Sequence, residues 1–162
     1  MEITVIFGSN TGNKRQFIEE AVCHLMKAAG PVVKASSYYE TEPWGFECED
    51  AFYNRVVIFN SRLKPESFLA KALEIEKQLG RIRHAGNRYE SRPIDIDILF
   101  CESLLIHTAE LIVPHPRIAE RNFVLVPLNE LMPDFEHPQL HQKISVLLTQ
   151  CPDKLSVKKV KI

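Results

Sequence analysis

Two acidic residues, Asp95 and Asp97, have the spacing in this sequence that most directly suggests chemistry. They alternate with Ile94, Ile96 and Ile98, and the two-residue period of a β-strand puts both carboxylates on one face and the isoleucines on the other. Two carboxylates this close repel each other unless a cation neutralises them. Oxygen ligands of this kind suit Mg²⁺, which proteins usually hold with one or two carboxylates plus substrate phosphates. By itself, the pair could equally be a solvent-facing strand edge.

A cluster of basic residues directly precedes the acidic pair. It consists of Arg81, Arg83, His84, Arg88 and Arg92. Guanidinium groups bind phosphate oxygens as planar forks while Mg²⁺ bridges phosphate oxygens to carboxylates, so the combination is typical of phosphoryl transfer. The basic run alone is also compatible with a solvated loop or a nucleic-acid patch. The acids that follow it and a net charge of only −1 weaken the nucleic-acid interpretation.

The elements that position these residues follow from hydrophobic periodicity and turn signals. Strands are predicted at Ile3–Phe7, Val32–Tyr39, Phe52–Asn60 and Pro93–Phe100, with a short one near Leu104–Ile106. Helices are predicted at Lys14–Ala29 and from Pro65 to Gly80, and helical or irregular segments around Arg121–Leu131 and Lys143–Gln150. Residues 40–51 are interpreted as a loop and Lys154–Lys161 as a solvated tail. This order predicts an α+β fold of ferredoxin-like type, an antiparallel or mixed sheet with helices packed on it in three layers, α-β-α.

Composition and charge restrict the class of protein. The 162 residues suit one domain spanning 1–162, and 45% apolar with 25% charged residues is ordinary for a globular protein. Four widely spaced cysteines without a CxxC pair argue against a zinc ribbon or a disulfide scaffold. The chain shows neither a signal peptide nor an apolar stretch approaching 18 residues. We therefore expect a cytoplasmic monomer with no nucleic-acid and no membrane partner.

Several motifs at fixed separations resemble the pterin pyrophosphokinase family. They are G-R-I-R at 80–83, R-x-I-D-I-D-I-L-F at 92–100, V-P-H-P at 113–116 and R-x-F-V-L-x-P-L at 121–128, extended by G-S-N at 8–10, S-S-Y-Y-E-T-E-P at 36–43 and F-Y-N at 52–54. G-S-N alone carries no specificity. The others, at their separations, are specific, and the resemblance runs in register from about residue 3 to residue 135.

The resemblance implies transfer of pyrophosphate from Mg-ATP to 6-hydroxymethyl-7,8-dihydropterin in folate biosynthesis, giving AMP and the pterin diphosphate ester. It implies that Asp95 and Asp97 hold two Mg²⁺ ions and that Arg81 and Arg92 act at the phosphates in catalysis. The implied ATP-binding residues are Arg83, Arg88, Ile98, His115 and Arg121. The implied pterin-binding residues are Thr41, Pro43, Trp44, Phe52, Asn54, Asp95 and Phe123.

The chain departs from the family pattern before Arg92. Tyr89 stands where a tryptophan is usual, and Glu90-Ser91 replaces a Gly-Pro, which adds a negative charge beside a phosphate-binding residue. We expect the departure to affect the kinetics of loop closure and not the reaction.

Two functions of other classes compete with the enzyme. Without the resemblance, Phe52 and Phe123 would be assigned to a hydrophobic core. A ferredoxin-like module that binds a nucleotide or pterin without chemistry is one alternative. The other is a metal-dependent nuclease or nucleic-acid binder, which would show steeply salt-dependent binding.

Overall fold

An antiparallel sheet forms the middle layer of the computed structural model, which describes residues 1–41, 51–80 and 93–161. The strands are β1 (Glu2–Ser9), β2 (Val32–Ala35), β3 (Tyr39–Thr41), β4 (Phe52–Asn60), β5 (Asp95–Cys101), β6 (Ile106–His107), β7 (Ile112–Val113) and β8 (Val157–Lys159). Within the described residues the main sheet has the order β5-β1-β4-β3-β8, with β2 also paired to β4. Strands β6 and β7 form a separate pair.

Helices cover both faces of this sheet. They are α1 (Lys14–Ala29), α2 (Pro65–Gln78), α3 (Asn122–Leu131) and α4 (Ile144–Gln150), and a 3₁₀ turn covers Ile118–Glu120. One hydrophobic cluster joins α1 and α2 to the sheet, and a second joins α3 and α4 to the opposite face. The predicted three-layer α+β fold is thereby confirmed. No helix in the described part of the chain is both long and apolar enough to cross a membrane.

Local sequence signals explain where the first helix begins and ends. The Asn13 side chain accepts a hydrogen bond from the Gln16 N–H (3.1 Å) and so caps the start of α1. Gly30 follows the helix with φ of 143°, and a Cβ there would lie 2.1 Å from the Asn60 carbonyl oxygen. Because both the backbone angle and the space require glycine, the chain turns into β2 at this position.

The predicted strand Val32–Tyr39 is wrong as a continuous element. It is interrupted between β2 and β3, because the Ser36 hydroxyl accepts a hydrogen bond from the Val56 N–H (3.0 Å). A side chain thus takes a bond that a backbone carbonyl would make in a regular ladder. The interruption places Tyr39 opposite Asn54, and β3 continues to Thr41 inside the predicted loop.

Two further predictions require correction. Leu104 and Leu105 are exposed and precede the short strand, which forms at Ile106–His107 instead. The segment predicted as a solvated tail contains β8, which pairs with β3, and the Val160 N–H donates to the Tyr38 carbonyl (2.8 Å). Its lysines indicated exposed side chains correctly, but charge carries no information about backbone pairing.

Candidate active site

A row of residues crosses the sheet near the end of β1. The register places Tyr39 beside Asn54, Asn54 beside Gly8 and Gly8 beside Asp95. Directly opposed residues in antiparallel strands lie on the same face of the sheet. We call Tyr39, Asn54, Gly8 and Asp95 the site row.

The site row faces α3 and α4. Asp97 is registered with Ile6, and Ile6 belongs to the hydrophobic cluster under α3 and α4. Two residues further along the same pair of strands, Thr41 of β3 is registered with Phe52 of β4. One face therefore carries the acidic pair together with the described sheet residues predicted to bind pterin.

The acidic pair has the alternation that the sequence predicted. Asp95 and Asp97 are half-buried, whereas Ile94, Ile96 and Ile98 are buried in the opposite cluster with α1 and α2. Two half-buried carboxylates on one strand face fit Mg²⁺, which prefers oxygen ligands. Among the described residues no group of three or more His, Cys, Asp or Glu could hold a metal. Mg²⁺ held by one or two carboxylates is usually also bound by substrate phosphates and water.

A third carboxylate supports the strand of the acidic pair from behind. Glu76 of α2 is only 2% exposed, and its Oε2 accepts a hydrogen bond from the Ile96 N–H at 2.9 Å. Ile96 lies between the two aspartates, so this bond fixes the backbone that carries them. Glu76 was not among the residues predicted from the sequence. The sequence contained one indication of its role, since Glu76 follows Ala72 by four residues and so lies next to the apolar face of α2.

Asn54 is held in one orientation by its neighbours. Its Nδ2 donates to the Thr41 Oγ1 at 2.7 Å, and both side chains are buried. A Cβ placed on Gly8 would lie 2.9 Å from the Asn54 Oδ1 and 3.6 Å from the Phe52 Cδ1. Glycine therefore leaves the space that the Asn54 amide and the Phe52 ring occupy. The G-S-N motif extended the resemblance but carried no specificity alone, and Gly8 was not among the predicted site residues.

Two predicted site residues lie at the start of α3, Arg121 as its N-cap and Phe123 in its first turn. Phe123 is half-buried at the margin of the α3 and α4 cluster, and the Arg121 guanidinium lies 5.6 Å from its ring centroid. The Asp153 carboxylate accepts a hydrogen bond from the Asn122 N–H at 3.0 Å and so supplies the cap that Arg121 cannot. The C-terminal segment thus fixes the start of this helix.

Glu130 connects the far end of α3 to β3. Its carboxylate accepts hydrogen bonds from the Ser37 N–H (3.0 Å), the Ser37 hydroxyl (2.9 Å) and the Tyr39 hydroxyl. Tyr39 belongs to the site row. Glu130 was not predicted from the sequence, because no periodic pattern links residues so distant in the chain.

His115 lies at the edge of β5. The backbone N–H of His115 donates to the Leu99 carbonyl at 3.0 Å, and the ring Nδ1 accepts a hydrogen bond from the Arg117 backbone N–H at 3.1 Å. Burial lowers the pKa of His115 to about 4; the charge of Arg121 also lowers it and that of Asp95 opposes the change. His115 is therefore neutral near pH 7. Since Nδ1 accepts, the ring proton is on Nε2, which leaves a neutral donor on that nitrogen.

The other predicted site residues divide into two groups. The Ile98 side chain is buried on the α1 and α2 side, so a nucleotide beside the aspartates would meet its backbone and not its side chain. Pro43, Trp44, Arg81, Arg83, Arg88 and Arg92 lie outside the described residues, as do the departures at 89–91. Their predicted roles stay predictions.

Together these groups suit the transfer of a phosphoryl group to a flat, polar molecule. The buried Asn54 amide and the Phe52 and Phe123 rings can recognise a heterocycle. The acidic pair can hold a metal-bound phosphate chain at the other end of the same row.

Comparison with known proteins identifies relatives of this chain. The family model described as 7,8-dihydro-6-hydroxymethylpterin-pyrophosphokinase (HPPK) matches residues 4–133. A 2-amino-4-hydroxy-6-hydroxymethyldihydropteridine pyrophosphokinase of Porphyromonas gingivalis is 40% identical over 134 residues, which is 82% of this chain and 90% of that protein. The enzyme of the same name from Bacillus subtilis is 41% identical over 133 residues, or 82% of this chain and 78% of the relative.

Some relatives are much longer. The folic acid synthesis protein fol1 of Pneumocystis carinii is 39% identical, and the match covers 84% of this chain but 18% of that protein. A crystal structure of wild-type Plasmodium falciparum HPPK-DHPS with pteroate superposes with a TM-score of 0.73 at 18% identity, over 92% of this chain and 44% of the other. The chain spans less than half of that solved structure, and at this identity the likeness establishes the fold alone.

Proposed function

Since the chain belongs to the 7,8-dihydro-6-hydroxymethylpterin-pyrophosphokinase family, we propose that it transfers pyrophosphate from Mg-ATP to 6-hydroxymethyl-7,8-dihydropterin. The products are AMP and the pterin diphosphate ester. The chain is thus an ATP-dependent pyrophosphokinase of folate biosynthesis. The observation that carries the proposal is the site row, in which Gly8 alone separates the buried Asn54 amide from Asp95.

In the proposal the pterin lies along the site row. Asn54 and Thr41 hydrogen-bond the amide and amino edge of the ring, and Phe52 and Phe123 stack on its two faces. Pro43 and Trp44 complete this side of the site in the proposal. Adjacent strands are about 4.8 Å apart, so Asn54 and Asp95 are separated by roughly 10 Å across Gly8. That span suits a two-ring heterocycle whose hydroxymethyl arm points towards the acidic pair.

The phosphates of ATP bind at the opposite end of the row. Asp95 and Asp97 would hold Mg²⁺, two ions in the proposal; bound there, the metal would neutralise phosphate charge and lower the pKa of the attacking hydroxyl. The neutral Nε2–H of His115 and the positive charge of Arg121 bind phosphate oxygens. Arg81 and Arg92 act on the transferred group, while Arg83, Arg88 and Ile98 contribute to ATP binding.

The reaction needs no covalent intermediate with the protein. The pterin hydroxyl oxygen forms a bond to the β-phosphorus of ATP, the bond from that phosphorus to the bridging oxygen of the α-phosphate breaks, and AMP leaves. The hydroxyl proton passes to solvent. Positioning and charge neutralisation supply most of the catalysis in reactions of this type.

The assignment of cellular context is part of the same proposal. We propose that the chain acts as one domain and as a monomer in the cytoplasm, with small-molecule substrates and no nucleic-acid or membrane partner. A net charge of −1 supports the exclusion of nucleic acid.

The test is to incubate the purified protein with Mg-ATP, with and without the pterin, and to separate the nucleotides. Pterin-dependent AMP without ADP is the expected result. Formation of ADP would indicate transfer of a single phosphoryl group. Unchanged ATP together with bound pterin would support the non-catalytic binding module instead.

A further inference from the structure

We propose that Glu130 is a positioning residue for the pterin-binding site, because it holds α3 at a fixed distance from β3. This inference rests on the proposed function, in which α3 carries Phe123 and β3 carries Thr41. Glu130 itself is placed to touch neither substrate. It acts through Tyr39 and Ser37.

The contacts of Glu130 reach both a backbone and two side chains of the β3 region. Its Oε1 lies 3.0 Å from the Ser37 nitrogen and 2.9 Å from the Ser37 Oγ, and its Oε2 accepts from the Tyr39 hydroxyl. Hydrogen bonds to a charged group are stronger than those between neutral partners. Burial opposes ionisation, but the hydrogen bonds from Tyr39 and Ser37 keep the pKa of Glu130 below its ordinary value. The carboxylate is therefore ionised, and can only accept, at neutral pH.

The helix geometry relates this contact to Phe123. Phe123 and Glu130 are seven residues apart, which is close to two turns, so they lie on the same side of α3. Between them is Pro127, which has no N–H to donate to the Phe123 carbonyl. The first turn of α3 therefore lacks one internal hydrogen bond and depends more on its external contacts.

The strand geometry relates the same contact to Asn54. Tyr39 is 6% exposed and registered with Asn54, and β3 then leads to Thr41, whose hydroxyl holds the Asn54 amide. The Glu130 carboxylate thus contacts β3, the strand beneath the pterin edge, and it belongs to α3, the helix that carries the stacking ring of Phe123. Loss of this contact should alter the separation between Phe123 and the Asn54 amide.

The decisive variant is Glu130→Gln, which keeps the shape but introduces an N–H₂ group that faces donors. We expect the pterin KM to rise about tenfold, as for the loss of a charge-assisted hydrogen bond. The KM for ATP should change less than about twofold, because the contact does not involve β5. Glu74→Gln is the matched control, since Glu74 is exposed on α2 and contacts only Lys71 and Gln78 in the hydrogen bonds described.

A second variant keeps the inference testable if Glu130→Gln folds poorly. Tyr39→Phe keeps the ring and the two Ser37 bonds, so its pterin KM should rise about threefold, and it should add little to Glu130→Gln in the double variant. A role limited to folding would lower the melting temperature and the active fraction without changing either KM. That result, or equal increases in both KM values, would overturn the inference. Absence of pterin-dependent AMP from the unaltered protein would instead overturn the proposed function and this inference together.

Discussion

Replacing Gly8 by alanine should weaken pterin binding while the fold remains stable. The added Cβ would lie 2.9 Å from the Asn54 Oδ1, closer than carbon and oxygen approach without strain. Asn54 is buried and its Nδ2 is bonded to Thr41 at 2.7 Å. The amide can therefore move away from the new methyl group only by breaking or bending that bond.

The opposing contributions to the free energy of unfolding nearly cancel. Of the glycines that the structure describes, Gly12, Gly30 and Gly80 have a positive φ and Gly8 does not, so the backbone at Gly8 accepts alanine. Replacing glycine at such a position stabilises a protein by about 0.4–1 kcal/mol, because the unfolded chain loses freedom. Loss of the bond between Asn54 and Thr41 costs about 0.5–1.5 kcal/mol. We therefore expect a free energy of unfolding within about 1 kcal/mol of the original.

The affinity for pterin has no such compensating contribution. A displaced Asn54 leaves polar groups of the pterin edge without partners, at a cost of about 1–3 kcal/mol. The pterin dissociation constant should accordingly rise about 5- to 150-fold. Titration calorimetry with the pterin measures this change, and thermal unfolding measures the stability of the same samples.

A double variant separates the effect on Asn54 from other effects of the methyl group. In an Asn54→Ser background the side chain is too short to meet the added Cβ, so Gly8→Ala should change pterin affinity less than about twofold further. Unaltered pterin affinity in the single variant would refute the reasoning. An equally large loss in both backgrounds would show that the methyl group obstructs the pterin directly.

Three further changes test the phosphate side of the site. Asp97→Asn should lower Mg²⁺-dependent turnover by more than about 100-fold with an unchanged circular dichroism spectrum. The control is Asp134→Asn, which changes an exposed aspartate distant in sequence and should retain full turnover. A comparable loss of turnover in both variants would contradict the metal assignment. Arg92→Ala should lower kcat about 100-fold and change the KM for ATP far less, because we expect the contact of Arg92 to form mainly in the transition state. Equal changes in kcat and in the KM for ATP would instead indicate that Arg92 binds ATP in the ground state. Burial lowers the pKa of His115 to about 4, so between pH 6.5 and 4 the unfolded chain takes up a proton that the folded chain does not. The free energy of unfolding should therefore fall more steeply on acidification through this range than in His115→Asn, whose Oδ1 can still accept from the Arg117 N–H. Parallel pH profiles would show that the pKa of His115 is not lowered in the folded protein.

The parts of the site that the sequence predicted depend on local periodicity. The alternation of Asp95 and Asp97 with isoleucines needs only the strand period, and the face of α1 needs only the helical period. Both were predicted correctly because neighbouring residues determine them. The motifs at fixed separations then supplied the family, which the comparisons confirm.

The parts that were missed depend on contacts between distant segments. The interruption at Ser36 arises because a hydroxyl replaces a backbone acceptor, and hydropathy does not record that exchange. Gly8 matters because β1 pairs with β4, which puts its missing side chain against Asn54. Glu130 and Asp153 act on elements far away in the chain. None of these contacts follows from a period of two or 3.6 residues.

The pairing of β8 with β3 also bears on how the protein behaves at high concentration. An open strand edge offers unpaired N–H and C=O groups to other molecules and promotes aggregation. Beside β3, the outer strand is three residues long and carries exposed Lys158 and Lys159, so the approach of a second sheet there brings positive charges together. At the other edge, β5 gives its Leu99 carbonyl to the His115 N–H. Solubility at high concentration should therefore depend in part on these two lysines.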